Sequence, residues 1–354
     1  MHWSNKRLSA FFLALAVLFL VGCSAKKTPQ KLERYSDSFF GAFDCSVTVL
    51  AYCKSQERFD LLLSEVKDEY MHYHRLYDIY STYPGTVNMK TVNDNAGIAP
   101  QKVSREIIEL LSLAKEMYSK TSGKVNIAMG SVLKIWHDVR EYSSAFPENA
   151  LLPDETLLEE AARHCNIDDL IIDREAETVF IADSEMRLDV GAVAKGYATE
   201  CVAKKLLDEG WTHVSLNAGG NVRVLGEKPD GGAWNIGITD PDMSSAKGYA
   251  DTVAVKSGSV ITSGVYQRFF TYNGRRYHHI IDPDTLFPEN SYLSVTVLTD
   301  NSGVGDALST ALFNMDLNSG KKFVEEHEGV EAMWILPDNS IEYSSGFRPE
   351  RIDN

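Results

Sequence analysis

Apolar residues open the chain as one block and then settle into two alternating periods. Leu8 to Val21 run almost unbroken behind Lys6 and Arg7, too short for a comfortable membrane span but suited to the apolar segment of a signal peptide. The polar, basic stretch 24–31, with Pro29, reads as a tether. Residues 43–52 are rich in β-branched and aromatic side chains and predict a strand. Leu62, Val66, Tyr70, Tyr73 and Tyr77 then recur at helical spacing, which predicts a helix over 58–77. Pro84, Gly85, Asn93, Asn95 and Gly97 mark 81–100 as loop, and Ser104 caps a helix to about Ser119. A further helix is expected over 155–165, strands at 170–172 and 178–181, and a helix over 192–209 that Gly210 stops.

Downstream the pattern turns mostly to strands, at 213–217, 221–225, 234–239, 252–255 and 260–262. Strands at 269–272 and 275–281 flank Asn273-Gly274, a two-residue hairpin signal. A strand at 292–298, helices near 304–313 and 321–327, and strands at 332–336 and 341–343 complete the order. Helices and strands mix without a βαβ rhythm. That predicts an α+β fold, mixed sheets with flanking helices, in place of a doubly wound sheet.

Composition changes this picture in two places. Acidic residues outnumber basic ones by 50 to 35, a formal charge of -15, so a nucleic-acid groove is not expected. A polyanionic ligand would need local help from a lysine, a helix N-terminus or a metal. The apolar block ends in Leu20-Val21-Gly22-Cys23-Ser24, which resembles a bacterial lipobox. Cys23 would then be acylated as the first mature residue, and the chain would sit lipid-anchored on the extracytoplasmic face of a bacterial membrane; an uncleaved membrane anchor is the alternative. The expected boundaries are a signal peptide over 1–22, a tether over 23–38 and one catalytic domain over 39–350. Cys45, Cys53, Cys165 and Cys201 show no CxxC or zinc spacing and are expected as free thiols, although Cys45 and Cys53 could meet if a strand turns back.

No GxGxxG after a strand, Walker loop, HExxH or GxSxG occurs. Four other stretches carry candidate chemistry. Residues 187–197 run from a strand end through small residues into a helix and place Asp189 and Lys195 at its mouth, where backbone N–H groups can approach a ligand; tight packing alone would explain the same pattern. Asp306 and Thr310 are four apart, on one face of a helix. With a main-chain carbonyl from elsewhere they form a hard oxygen site, better suited to Mg²⁺ than to zinc. The alternative makes Asp306 an N-cap and Thr310 a core residue. In Tyr277-His278-His279-Ile280-Ile281-Asp282-Pro283 one histidine can act as a base near neutral pH, and strand alternation sends the two to opposite faces. Thr262 and Ser263 supply hydroxyls near the same sheet, and Asn217-Ala218-Gly219-Gly220-Asn221 is a tight turn.

Taken together, LDVGAVAKGYA, NAGGNVRVLGEKPDGGAWNIGI, ITSGVYQRFF, HIIDP and GDALSTAL, in that order, resemble the ApbE family, the FAD:protein FMN transferases. Ser81-Thr82-Tyr83 with Asn93, and Thr121-Ser122-Gly123 leading to Trp136, agree with it. The resemblance implies a two-lobed single domain that moves FMN from FAD to a hydroxyl of an exported acceptor, a flavinylated domain of a redox protein, and releases AMP. It implies Mg²⁺ on Asp306 and Thr310, completed at Ala192 through its carbonyl. Asp189 and Lys195 would contact FAD, Tyr83 would lie beside the flavin, and Ile281 would reach the cofactor through its main chain. Lys124, Val125, Asn126, Thr262 and Ser263 are expected as further FAD contacts, and His279 as the group that takes the acceptor's proton. The chain departs from the family pattern at Phe40-Gly41-Ala42 (commonly Met-Gly-Thr), Asn126-Ile127-Ala128 (Asp-Ile-Thr) and Gly219-Gly220-Asn221 (Gly-Gly-Asp). Two other activities fit the same residues: an FAD pyrophosphatase that uses water, and a lipid-anchored flavin-binding protein without turnover.

Overall fold

Alternation of buried and half-buried side chains sets the register of the central sheet. In the computed structural model, which describes residues 31–242 and 244–349, strand β1 (Glu33–Ala42) turns at Phe43 and Asp44, both at φ 52°, into β2 (Cys45–Cys53). Every second residue of β2, Val47, Val49, Ala51 and Cys53, is buried. The signal peptide expected over 1–22, and Cys23, lie outside the described residues. The tether expected through residue 38 is strand from Glu33 onward. Only Phe39 and Ala42 of β1 are buried, so this edge strand shows no apolar alternation to read.

Next come α1 (Gln56–Tyr77), α2 (Met89–Asp94), β3 (Gln101–Lys102), α3 (Arg105–Lys120), α4 (Gly130–Ala145) and α5 (Glu155–Ala162). They are followed by β4 (Leu170–Asp173), β5 (Thr178–Ile181), α6 (Ala194–Asp208), β6 (Val214–Ala218) and β7 (Asn221–Leu225). Then come β8 (Trp234–Thr239), β9 (Tyr249–Val255), β10 (Gly258–Gly264), β11 (Phe269–Tyr272) and β12 (Arg275–His278). The last elements are β13 (Ser294–Thr299), α7 (Ser302–Phe313), α8 (Leu317–Glu325), β14 (Glu331–Ile335) and β15 (Ile341–Tyr343). Two helices escape the sequence pattern. The six-residue α2, held by an Asn88–Thr91 capping box, is too short for a period and falls in the expected loop over 81–100. In α4 only Gly130, Val132, Trp136 and Ser143 are buried, too few apolar positions to make a stripe.

The fold is α+β. Eight strands form one sheet in the order β1-β2-β6-β7-β10-β13-β14-β15, with β3-β5-β4 and the hairpins β8-β9 and β11-β12 beside it. Every strand pair within these sheets is antiparallel. On one face, Phe59, Leu62, Val66 and Tyr70 of α1 and Val202, Ala203 and Leu206 of α6 bury Val47, Val49 and Ala51. Ala307, Leu308, Ala311 and Leu312 of α7 join Val295 and Val297 of β13 and Ile107, Leu110 and Leu111 of α3. Trp234, Ile238 and Val253 of the β8-β9 hairpin cover Val222, Val224 and Val260 on the other face. No helix among the described residues is long and apolar enough to cross a membrane, and the four described cysteines are free thiols.

Two glycines let α7 sit where it does. A Cβ on Gly196, in the first turn of α6, would lie 2.3 Å from Ser302 O and 2.5 Å from Asp306 Cβ. One on Gly305 would lie 2.4 Å from Ile261 Cδ1 of β10. The small residues of both motifs thus serve close packing, and that packing is what carries Asp306 to the mouth of α6. Helix propensity alone would reward Gly196→Ala by up to about 1 kcal/mol, but overpacking of this kind costs about 1–3 kcal/mol and here meets backbone. Urea unfolding of Gly196→Ala should therefore show a net loss of about 2 kcal/mol; a gain in stability would mean that the two helices are not in contact at this point.

Candidate active site

The ends of β10 and β12, the mouth of α6, the Asp306–Thr310 face of α7 and the loop after α3 surround one cavity of about 470 Å³, within the usual range for a small-molecule site. Lys124, Val125, Asn126, Asp189, Ala192, Lys195, Thr262, Ser263, His279, Ile281, Asp306 and Thr310 all line it. Residues spread over nearly two hundred positions of sequence are brought to one place. Tyr83 is not among them. Its hydroxyl donates to Asp78 Oδ2 at 2.7 Å, and Asp78 Oδ1 accepts from the Tyr80 and Ser81 N–H groups at 2.7 and 3.0 Å. This clasp draws Tyr83 into its own turn and leaves Tyr80 on the cavity wall, 60% exposed, with its ring 5.3 Å from that of His137.

Asp306 is neither an N-cap nor free to turn. Asn301 caps α7, accepting from the Gly303 and Val304 N–H groups at 2.9 and 3.1 Å. Asp306 lies one turn further on, 6% exposed. The Gly196 N–H donates to its Oδ2 at 2.7 Å. Its Oδ1 stands 3.7 Å from Lys195 Nζ. Thr310, one turn along, is half-buried on the cavity wall and not in the core. Ser309 Oγ donates to the Asp306 carbonyl at 3.0 Å and shares a 2.8 Å bond with Ser263 Oγ, and Thr262 Oγ1 lies 2.9 Å from Thr296 Oγ1. Both β10 hydroxyls therefore already serve as ties within the fold.

Other side chains expected at the cofactor are also engaged. Lys124 Nζ reaches Asp284 Oδ2 at 2.7 Å and Asp282 Oδ1 at 3.1 Å. Burial pulls its pKa down, the two carboxylates outweigh that, and the net direction is up. Asn126 Nδ2 donates to Cys165 O and its Oδ1 accepts from the Ala128 N–H. The Ile281 carbonyl accepts from Asn314 Nδ2 at 3.3 Å. Sequence reasoning missed Arg140, His137, Arg268 and Asn314, which line the same cavity. Arg140 and His137 ride on α4, a helix the pattern did not show. Arg268 sits inside the ITSGVYQRFF stretch, and Asn314 extends the spacing of Asp306 and Thr310 by one more turn; those were the signals available.

The strand ends at His278, and both histidines touch the cavity, but their partners differ. His278 is buried, donates from Nε2 to Glu289 O at 2.5 Å and accepts from the Ile280 N–H at Nδ1. Burial lowers its pKa to about 4, and it is a satisfied core residue. His279 is half-buried on the cavity wall and its Nδ1 has no hydrogen-bond partner. Burial first, then the charges of Arg268, His278 and Arg140, lower its pKa to about 3, against a smaller upward pull from the Arg268 carbonyl. Asp189 moves the opposite way. Burial pushes its carboxyl up, while the Gly191 N–H at 2.8 Å and the charges of His137, Arg268 and Arg140 offset part of that.

Among the described residues no three His, Cys, Asp or Glu side chains gather to hold a metal. Asp306 and Thr310 instead offer one carboxylate and one hydroxyl, hard oxygens beside a cavity. Such a donor set suits a magnesium-like ion whose remaining positions are filled by water and substrate oxygens.

The sequence profile of the ApbE family matches residues 43–334. A Treponema pallidum protein named FAD:protein FMN transferase is 34% identical over 272 residues, 73% of each chain. One of the same name from Klebsiella pneumoniae is 30% identical over 279 residues, 78% of this chain and 83% of that one. The crystal structure of the ApbE protein of Thermotoga maritima superposes with a TM-score of 0.76 at 28% identity, over 88% of this chain and 97% of that one. The flavin transferase ApbE of Vibrio cholerae shares the fold, with a TM-score of 0.72 at 23% identity over 89% of this chain and 98% of that one. The class defined by this fold, this site and these relatives is a transferase. Within that class the chain belongs to the ApbE family.

Because the folded His279 titrates near 3 and an unfolded histidine near 6.5, the unfolded chain binds that proton first. The stability His279 contributes is complete above pH 6.5 and is lost as pH falls toward 3. His279→Gln should therefore flatten the loss of unfolding free energy between pH 6 and 4 by about 1 kcal/mol per pH unit, read from urea midpoints. Parallel pH profiles for the variant and the native chain would show that His279 is not held neutral.

Proposed function

We propose that this chain transfers FMN from FAD to a Ser or Thr hydroxyl of an exported acceptor protein, with Mg²⁺ and with release of AMP, and that acylated Cys23 holds it at the outer face of a bacterial membrane. The observation that carries the reading is a single cavity holding a pinned carboxylate, a hydroxyl one turn away and an unpartnered neutral imidazole nitrogen. The names of the relatives point to FAD as the donor and to a protein as the acceptor.

A chain of net charge -15 must still bind a diphosphate. Lys195, Arg140 and Arg268 gather around the cavity and focus positive potential where the chain as a whole is negative. Asp306, Thr310 and the main chain at Ala192 would hold the metal, and the ion would there offset diphosphate charge and act as a Lewis acid. The protein's own part is mostly positioning. The Gly196 N–H fixes one oxygen of Asp306. His279, neutral throughout the physiological range, would take the proton on its imidazole. The acceptor oxygen forms its bond to the FMN-side phosphorus as its proton passes to His279. The bond from that phosphorus to the bridging oxygen breaks, and AMP leaves with the bridging oxygen.

Asp306→Ala should slow transfer by about a thousandfold, or about 4 kcal/mol, and EDTA should do the same to the native chain. The readout is the intact mass of a purified acceptor domain incubated with FAD and Mg²⁺, which should rise by one FMN moiety. Free FMN and AMP with no acceptor gain would mean that water is the acceptor. FAD bound but unchanged across several acceptors and metals would leave only a binding protein. Fractionation of the full chain checks the anchor: Cys23→Ser should leave the membrane fraction, and continued membrane association would count against acylation.

A further inference from the structure

Asn314 caps the C-terminal end of α7 and follows Thr310 as Thr310 follows Asp306, so carboxylate, hydroxyl and amide stand in one row along the helix, about 6 Å of rise per step. The amide is 4% exposed. Its Nδ2 donates to two main-chain carbonyls from separate parts of the cavity wall, Lys124 O at 3.1 Å and Ile281 O at 3.3 Å. The same two segments are joined a second time where Lys124 Nζ meets Asp282 and Asp284. Asn314 Oδ1, by contrast, is buried without any partner.

A buried amide with an orphaned oxygen is a poor packing choice, because the unsatisfied acceptor is desolvated for nothing. A leucine of nearly the same shape would avoid that cost. What a leucine cannot do is donate to both carbonyls. We propose that Asn314 is a positioning residue for flavin-nucleotide binding: its amide locks the Lys124 and Ile281 walls to the helix that bears Asp306 and Thr310, and so fixes the width of the cavity that receives FAD. The inference rests on the FAD-transfer reading and adds to it a determinant of substrate affinity whose side-chain amide bonds only Lys124 O and Ile281 O, and not Asp306, Thr310 or His279.

The test uses the full chain with Asn314→Leu and Asn314→Ser. FAD binding is followed by quenching of flavin fluorescence at saturating Mg²⁺, Mg²⁺ binding by titration at saturating FAD, and stability by thermal melting. Asn314→Leu should weaken FAD about tenfold, with the Mg²⁺ midpoint within about twofold and the melting temperature nearly unchanged. Asn314→Ser, which keeps one donor, should fall between Asn314→Leu and the native chain, and it carries the test alone if Asn314→Leu does not fold. FAD affinity within about twofold of native in the folded variants would overturn the proposal. So would a parallel loss of stability, FAD affinity and Mg²⁺ affinity, since Asn314 would then be a packing residue. A native chain that does not bind FAD at all would overturn the transferase reading, and the clamp with it; native binding with unaffected variants would overturn the clamp alone.

Discussion

The site depends on one contact: the crossing of α6 and α7 at Gly196. There the helices approach until a single methyl group would collide with Ser302 O and Asp306 Cβ. The first-turn N–H of α6, which would otherwise lack a partner, goes to Asp306 Oδ2 at 2.7 Å. A carboxylate on a helix surface would normally sample several rotamers. This one has one oxygen fixed by backbone and the other beside Lys195, facing the cavity. The rest of the architecture serves this crossing. Gly305 seats α7 on Ile261 of β10, and Glu200 of α6 takes the Ser302 N–H at 3.0 Å and Arg223 Nε of β7 at 3.1 Å. That buried carboxylate ties sheet, α6 and the N-terminus of α7 together. Such groups are better understood as fixing geometry than as net stabilisers.

Electrostatics then sort the remaining side chains by task. Lys124, which a sequence reader would assign to the ligand, is neutralised by Asp282 and Asp284 and holds a turn. Among the described residues Lys195 has the long 3.7 Å approach to Asp306 as its one ion pair, and Arg140 and Arg268 add to the burial that depresses His279. The cationic surround therefore does two things at once. In the reading we propose it would attract a polyanion, and it adds to burial, the larger cause, in keeping the imidazole neutral.

How much of this was legible in the sequence follows from the range of the forces involved. Where burial alternates within a strand, as in Thr178–Ile181 and Trp234–Thr239, the pattern reads off the bounds of the element. Where it does not, as in the edge strand β1 or the sparsely buried α4, periodicity is silent, and the arginine and histidine on α4 are silent with it. The spacing of Asp306 and Thr310 was readable because an α-helix turns a separation of four into one face. That Tyr80 and not Tyr83 stands at the cavity depends on where the Asp78 carboxylate points, a choice among local hydrogen bonds that composition does not encode. The amide of Asn314 binds carbonyls from two distant segments, and no local pattern can announce that.

Asp306 and Thr310, pinned by the α6–α7 crossing, are the metal centre we propose, on which the diphosphate of FAD would be held. The most direct measurement is anomalous diffraction from crystals grown with FAD and Mn²⁺ in place of Mg²⁺. The expected result is one strong peak within coordination distance of Asp306 Oδ1, the Thr310 hydroxyl and a phosphate oxygen of FAD, absent from crystals of Asp306→Ala. FAD bound in the cavity with no metal peak at α7, or with the metal seated on other residues, would contradict it.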